Sequence, residues 1–323
     1  MSTIAVDAMG GDSAPEEVVK GAILAKKEGV DVILSGDENL IKSYLGNEKI
    51  PVINYPQVIS MDDDPAKAIR SNKDSSIIGA LNLVMEKKAD AVFSAGSTGA
   101  TLIGAISVLG KIKGVTRPTI ASVLPGKEKE VILVDSGANL EVKPKVLYQF
   151  AIMGSKLSEL LFDIENPRIG LINNGEESSK GRELEKATFK LLKSSQLNFI
   201  GNVEGKDFAN SKVDVFVTDG FTGNVVLKTL QGVAKLQQDL ISKSLKENLF
   251  KPLLVPVKNA ISPVKSMLNP NSTNGSYLLG VNGLVIIGHG SSNSEAIKNA
   301  LLFTSRAVEK RFINKFTEVS SEL

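Results

Sequence analysis

Apolar residues in this chain gather in short runs that end in small or polar residues. TIAV (3–6), DVILS (31–35), PVINY (51–55), DAVFS (90–94), PTIASVL (118–124), VILVD (131–135), RIGLIN (168–173), LNFIG (197–201), VDVFVT (213–218) and LVIIG (284–288) all have this form. Runs that are continuously apolar and rich in β-branched residues predict strands buried on both faces. Between them lie stretches with helical spacing, APEEVVKGAILAKKEG (14–29), SSIIGALNLVMEKKA (75–89), PKVLYQFAIMGSKLSELLF (144–162) and KGRELEKATFKLLKSS (180–195). Such alternation predicts an α/β protein with a largely parallel sheet and helices on both faces. No Pro/Gly/Ser-rich linker divides residues 1–323, which read as one unit. Residues 240–275 carry four prolines and repeated lysines without a strand pattern, and read as a helical insertion before the last strand.

The predicted strands feed small-residue corners. Two of these repeat one pattern: Gly96-Ser97-Thr98-Gly99 after DAVFS, and Gly220-Phe221-Thr222-Gly223 after VDVFVT, each leading into a helix-like run. Four more are VDAMGGD (6–12), with Gly10 and Gly11; VDSGANLE (134–141), with Asn139; NNGEESSKG (173–181); and GHGSSNSEA (288–296). A strand-to-helix corner offers free N–H groups and the positive end of a helix dipole, so it suits an anion. Both Gly-x-Thr-Gly corners are therefore expected to line one crevice, each helix N-terminus serving one anionic or polarised group. The dinucleotide, P-loop and nucleophile-elbow patterns are missing.

Composition narrows the chemistry. The chain has no cysteine and one histidine, His289, so thiolate catalysis, disulfides and Cys/His metal sites are excluded. A net charge of +2 and 5% aromatic residues give no support to nucleic-acid binding. In MDDDPAK (61–67) a helix start, with Asp64 as N-cap and Pro65 in the first turn, is favoured over a magnesium site, and no metal is expected. The first residues lack the basic and apolar regions of a signal peptide, and no apolar stretch reaches membrane-spanning length, so a cytoplasmic protein is expected.

The ordered motifs IAVDAMGGDSAP, DDDPAKAIRSNKDSS, ADAVFSAGSTGA, RPTIA, VDSGAN, QFAIMG, GNVEG, VDVFVTDGFTGNVVLKT and HGSSN resemble the PlsX family of phosphate acyltransferases over nearly the whole chain. Ser97 stands where the family run has Asn, and NGSYLLG (274–280) replaces a more usual Gly-Ala before Leu-Leu-Gly. The resemblance implies transfer of a fatty acyl group from acyl carrier protein to inorganic phosphate for phospholipid synthesis. It further implies an isocitrate/isopropylmalate dehydrogenase-like fold, a three-layer α/β/α unit over 1–323 with one large, mostly parallel mixed sheet and two intertwined halves, together with a homodimer, peripheral membrane association and, downstream, a glycerol-3-phosphate acyltransferase. No resident cofactor is expected, because 4'-phosphopantetheine arrives on the carrier protein. A phosphotransacetylase-like enzyme acting on small acyl-CoA, a dehydrogenase and a non-enzymatic membrane-recruited scaffold are the rival readings.

Such an enzyme must hold two anions and stabilise an oxyanion. Lys180 is expected to bind phosphate or polarise the carbonyl, His289 to protonate the departing thiolate, and Asn224 to donate to the oxyanion. Asp219 is grouped with these three as a catalytic candidate, ordering of the turn being its plainer role. Arg70 and Lys73 are candidates for a phosphate clamp, with Gly10, Gly11, Gly96, Ser97, Thr98, Gly99, Asn139, Gly220, Thr222 and Gly223 as the backbone cradle. The plainer alternatives are a surface lysine, helix caps, a structural histidine and a solvated helix end. Leu253, Leu254 and Val255, among lysines, are expected to form a membrane tip.

Overall fold

The computed structural model describes residues 2–247 and 275–318. The first block of strands comprises β1 (Thr3–Asp7), β2 (Asp31–Gly36), β3 (Val52–Asn54) and β4 (Ala91–Ser94). Next come β5 (Thr119–Leu124), β6 (Val131–Val134), β7 (Ile169–Ile172), β8 (Phe199–Val203) and β9 (Val215–Val217). A final hairpin is β10 (Ser276–Leu279) and β11 (Leu284–Ile287). The helices are α1 (Glu16–Lys27), α2 (Glu38–Leu45), α3 (Pro65–Ser71), α4 (Ser76–Met85), α5 (Thr98–Leu109), α6 (Pro144–Phe162), α7 (Glu183–Lys193), α8 (Gly220–Glu247), α9 (Ser294–Glu309) and α10 (Phe312–Glu318). Asp64 caps α3, its carboxylate accepting the Lys67 N–H at 2.8 Å.

All strands join one 11-stranded sheet in the order β3-β2-β1-β4-β11-β10-β5-β6-β9-β7-β8. Seven pairings are parallel; the three antiparallel ones, β11/β10, β10/β5 and β5/β6, sit together at the centre. Three reversals in succession invert direction, so the block β6-β9-β7-β8 runs opposite to β3-β2-β1-β4-β11. Read outward from the centre, β10-β11-β4-β1-β2 and β5-β6-β9-β7-β8 match strand for strand with opposite sense. A twofold axis perpendicular to the sheet, between β10 and β5, relates the two sides and leaves β3 over. Under it β4 corresponds to β9, so the two Gly-x-Thr-Gly corners occupy equivalent places.

Helices cover both faces, giving three layers. On one face α1, α6, α9 and α10 pack on alternate strand residues such as Ile4, Phe93, Ala121, Ile132 and Tyr277 in a single long core. On the other face the core is split. The α4 and α5 helices close over Val92, Ile120, Leu278 and Val285. Val226 and Leu227 of α8 lie over Leu124, Leu133 and Phe216. Ile120 and Leu124 point to the same side of β5, because side chains alternate with a period of two. The gap between these two smaller cores falls over the middle of the sheet.

One expectation is corrected here, and another falls outside the described residues. The NGSYLLG run holds a strand, β10 (SYLL), that its residue pattern does not mark; the insertion thus precedes a hairpin rather than the last strand alone. Residues 240–247 continue α8, and the rest of the insertion through 274, with Leu253, Leu254 and Val255, lies outside the described residues. No helix among the described residues is long and apolar enough to cross a membrane.

Candidate active site

The gap between the split cores is a cavity of about 330 Å³. Its floor is the central strands, through Ile120, Ser122, Leu124 and Ser276. Thr98 enters from the start of α5; Asn224, Leu227, Lys228 and Gln231 form one face of α8; Gly288 and His289 come after β11; Ser136 and Gly137 come after β6. These positions in α8 are spaced i, i+3, i+4 and i+7, which places them on one side of a helix.

The second corner is fastened from below. Asp219, 2% exposed, accepts the Thr222 N–H at 2.8 Å and the Thr222 hydroxyl at 3.0 Å, and so caps the start of α8. It also pairs with Arg182 at the start of α7; hydrogen bonds to Glu185 and then Asp219 hold that guanidinium above its ordinary pKa. The Gly220 N–H donates to the Asn139 carbonyl at 2.8 Å. Asn139 in turn donates through its backbone and its amide to Asp135, both at 2.8 Å, and to the Pro118 carbonyl at 2.8 Å. Asp135 is fully buried and also accepts the N–H groups of Gly137 and Ala138, at 3.0 and 2.8 Å. Burial pushes its carboxyl up from the ordinary value against those hydrogen bonds. Asp219, Asn139, Gly220 and Thr222 are thus frame, and what they frame is the first two turns of α8.

Lys228 and His289 meet across the cavity, Nζ to Nε2 at 3.3 Å. His289 Nδ1 lies 2.8 Å from the Ser291 hydroxyl. An ammonium can donate to Nε2 only if that nitrogen carries its lone pair, and the Ser291 N–H points at Nδ1 at 3.3 Å; an imidazolium could accept neither, so the contacts fit a neutral ring. Desolvation, and then the Lys228 charge, hold the imidazole below its ordinary pKa, while Asp12 opposes them. Lys228 has no carboxylate partner among the described residues, and the Asn224 amide has no hydrogen bond there. The cavity therefore presents an uncompensated cation, a free amide and a neutral imidazole.

Of the expected residues, Thr98, Asn224 and His289 share this cavity. Gly10, Gly96 and Ser97 instead line a void of about 10 Å³ beside buried Asp7, and Gly11 lines neither. Ser97 caps α5 through a long contact from the Ala100 N–H, 3.4 Å. Lys180, Arg70 and Lys73 are exposed and outside the cavity. The expectation that the two corners line one crevice is overturned. Strands β4 and β9 run in opposite directions, so their corners open at opposite ends of the sheet. The two helix N-termini do not converge from one end; each lends a residue, Thr98 or Asn224, to a cavity lying between them.

Sequence reasoning missed Lys228, Gln231 and the serines of the floor. Lys228 was within reach, since it stands four residues after Asn224 in a predicted helix. The serines were not, because they come together only across three strands.

A family profile described as fatty acid synthesis protein matches residues 2–315. Among curated relatives, a phosphate acyltransferase of Pelotomaculum thermopropionicum is 45% identical, covering 96% of this chain and 92% of its own. One of Leptospira biflexa is 44% identical, covering 98% and 96%. Among solved structures, a phosphotransacetylase from Staphylococcus aureus superposes with a TM-score of 0.62 at 18% identity, over 94% of this chain and 93% of its own. A 4-hydroxythreonine-4-phosphate dehydrogenase from Klebsiella pneumoniae gives 0.55 at 14%, over 94% and 99%. At such identities the likeness is one of fold, three-layer α/β/α, shared by acyl-transferring and dehydrogenase chains. Profile and relatives together place the protein among the acyltransferases: the chain belongs to the PlsX family of phosphate acyltransferases.

Proposed function

We propose that the enzyme transfers a fatty acyl group from acyl carrier protein to inorganic phosphate, in the cavity between α5 and α8. The observation that carries this reading is the uncompensated Lys228 ammonium beside the free Asn224 amide. A cation with no carboxylate partner and an amide with no hydrogen bond among the described residues suit an oxyanion. Hydrogen phosphate attacks the thioester carbonyl, a C–O bond forms and the C–S bond breaks. The phosphate proton is released as the carrier thiolate takes one up. Lys228 offsets charge on phosphate or on the tetrahedral oxyanion, Asn224 donates to the same oxygens, and Thr98 closes the opposite wall. Neutral His289 accepts from Lys228 and fixes where its ammonium points. No cysteine exists to form an acyl-enzyme, and direct attack needs none.

The same reading includes acyl carrier protein as donor, its 4'-phosphopantetheine as the only prosthetic group involved, and acyl phosphate passed to a glycerol-3-phosphate acyltransferase. It extends to a cytoplasmic homodimer held peripherally at the membrane through Leu253, Leu254 and Val255. The deciding experiment measures loss of acyl carrier protein thioester with and without phosphate, with short-chain acyl-CoA in parallel. Phosphate-dependent loss of the carrier thioester is expected. Turnover of acyl-CoA alone would move the enzyme to the phosphotransacetylases, and no turnover of either would leave a scaffold.

A further inference from the structure

The cavity floor carries three serines in contact across β10, β5 and the β6 corner. The Ser136 hydroxyl donates to the Ile120 carbonyl at 3.1 Å. The Ser122 hydroxyl donates to Ser136 Oγ at 2.8 Å. Ser276 Oγ lies 2.8 Å from Ser122 Oγ. A serine has one hydroxyl hydrogen. That of Ser122 is committed to Ser136, so Ser276 must donate to Ser122. The chain is directional: each hydrogen points along the floor toward the Ile120 carbonyl, and what remains for the cavity is oxygen lone pairs. Ser122 and Ser136 are 4% and 5% exposed, so water cannot freely re-pair them.

A floor whose hydroxyl hydrogens are all committed, facing an ammonium and two groups that can turn a donor toward an anion, is a filter for protonation state. We infer that the Ser276–Ser122–Ser136 chain selects a protonated oxyanion, taking hydrogen phosphate and rejecting sulfate. This rests on the reading that phosphate occupies the cavity. Hydrogen phosphate brings three acceptor oxygens for Lys228, Asn224 and Thr98, and one O–H for the Ser276 lone pair. Sulfate has nearly the same size and, in mildly alkaline buffer, the same charge, but it has no proton to give. It sets oxygen against oxygen at Ser276, which is expected to cost about tenfold in affinity.

The test is calorimetric titration of the full-length enzyme with inorganic phosphate and, separately, with sulfate, no acyl donor being present. Wild type should bind phosphate at least about tenfold more tightly than sulfate. Ser122→Ala frees the Ser276 hydrogen to turn into the cavity, so sulfate should gain and the ratio should fall toward one. Ser276→Ala, at the less buried end, should weaken phosphate and spare sulfate; it decides the matter if Ser122→Ala does not fold. Equal wild-type affinities overturn the inference, as does binding of neither anion or an unchanged ratio in both variants. Acyl transfer is measured on its own. A discriminating protein that moves no acyl group to phosphate sinks the proposed reaction, whereas an active enzyme indifferent to sulfate sinks the filter.

Discussion

The two Gly-x-Thr-Gly corners occupy equivalent places in the sheet and differ in the helices they start. Aligned on the motif, Ala100 and Gly104 of α5 stand where α8 has Asn224 and Lys228. Gly104 is buried, and a Cβ there would meet Leu81, Ile69 and Ile78. That side of α5 is closed by α3 and α4, while the matching side of α8 opens on the cavity. The final glycines differ as well. A Cβ on Gly223 would lie 1.8 Å from the Asp135 carbonyl oxygen, whereas on Gly99 it would meet the edge of the Pro65 ring at 2.7 Å. One motif sets the same backbone twice; the next turn of helix decides whether the corner packs or reacts.

The hardest blow to this contrast is a paired glycine substitution. Gly223→Ala drives a methyl into a fixed carbonyl and should cost more than about 3 kcal/mol of stability, or prevent folding. Gly99→Ala meets a ring that can shift and gains helix propensity, so it should stay within about 1 kcal/mol of wild type. Equal losses in denaturant titrations would erase the distinction.

Second, Lys228→Ala should lower kcat/KM by about 100-fold, the scale of one oxyanion-stabilising group. Thr98→Ala, the contribution of the first corner, should cost less than about tenfold. Lys180→Ala should also fall short of the Lys228 loss; if it matched, the β7 corner would have to close on the cavity during turnover.

Third, His289 is the only histidine, so an NMR titration reports on one ring. Its midpoint should lie below the ordinary 6.5. It should rise in Lys228→Met, which removes a neighbouring cation, and fall in Asp12→Asn, which removes an anion. Because the folded ring takes its proton at lower pH than the unfolded one, its contribution to stability is complete above 6.5 and lost as pH falls below that value. A midpoint indifferent to Lys228 would separate the two side chains in solution.

The smallest effect concerns the caps. Ser97→Ala should cost about 0.5 kcal/mol, given the long contact it removes. Asp219→Ala should cost more, because it strips a cap and leaves Arg182 with one carboxylate fewer. Thermal melts of the two variants side by side check the order.

Most strands are legible in the sequence because double-sided burial demands unbroken β-branched runs, which are a local property. The exception, β10, is four residues long and carries Ser276 and Tyr277 at its start, so nothing in the pattern marks it. That omission has a large consequence. Without β10 the centre of the sheet cannot be counted, and strand direction beyond it stays undetermined. All the corners can then be imagined at one end. Hence the sequence points to Asn224, Thr98 and His289 without the geometry that joins them. It also credits Lys180, Arg70 and Lys73 with charge that the fold leaves outside the cavity.

The central hairpin also governs how the chain matures. Strands β4 and β5 are joined only through β11 and β10, whose residues begin at Ser276. While a ribosome is still extending the chain through α8, both blocks of sheet expose an unpaired apolar edge, and neither half can close as a finished domain. Such edges invite pairing with other chains. Translation of the final hairpin is therefore the step that commits the protein to solubility, and a nascent chain halted after α8 is expected to depend on chaperones to stay in solution.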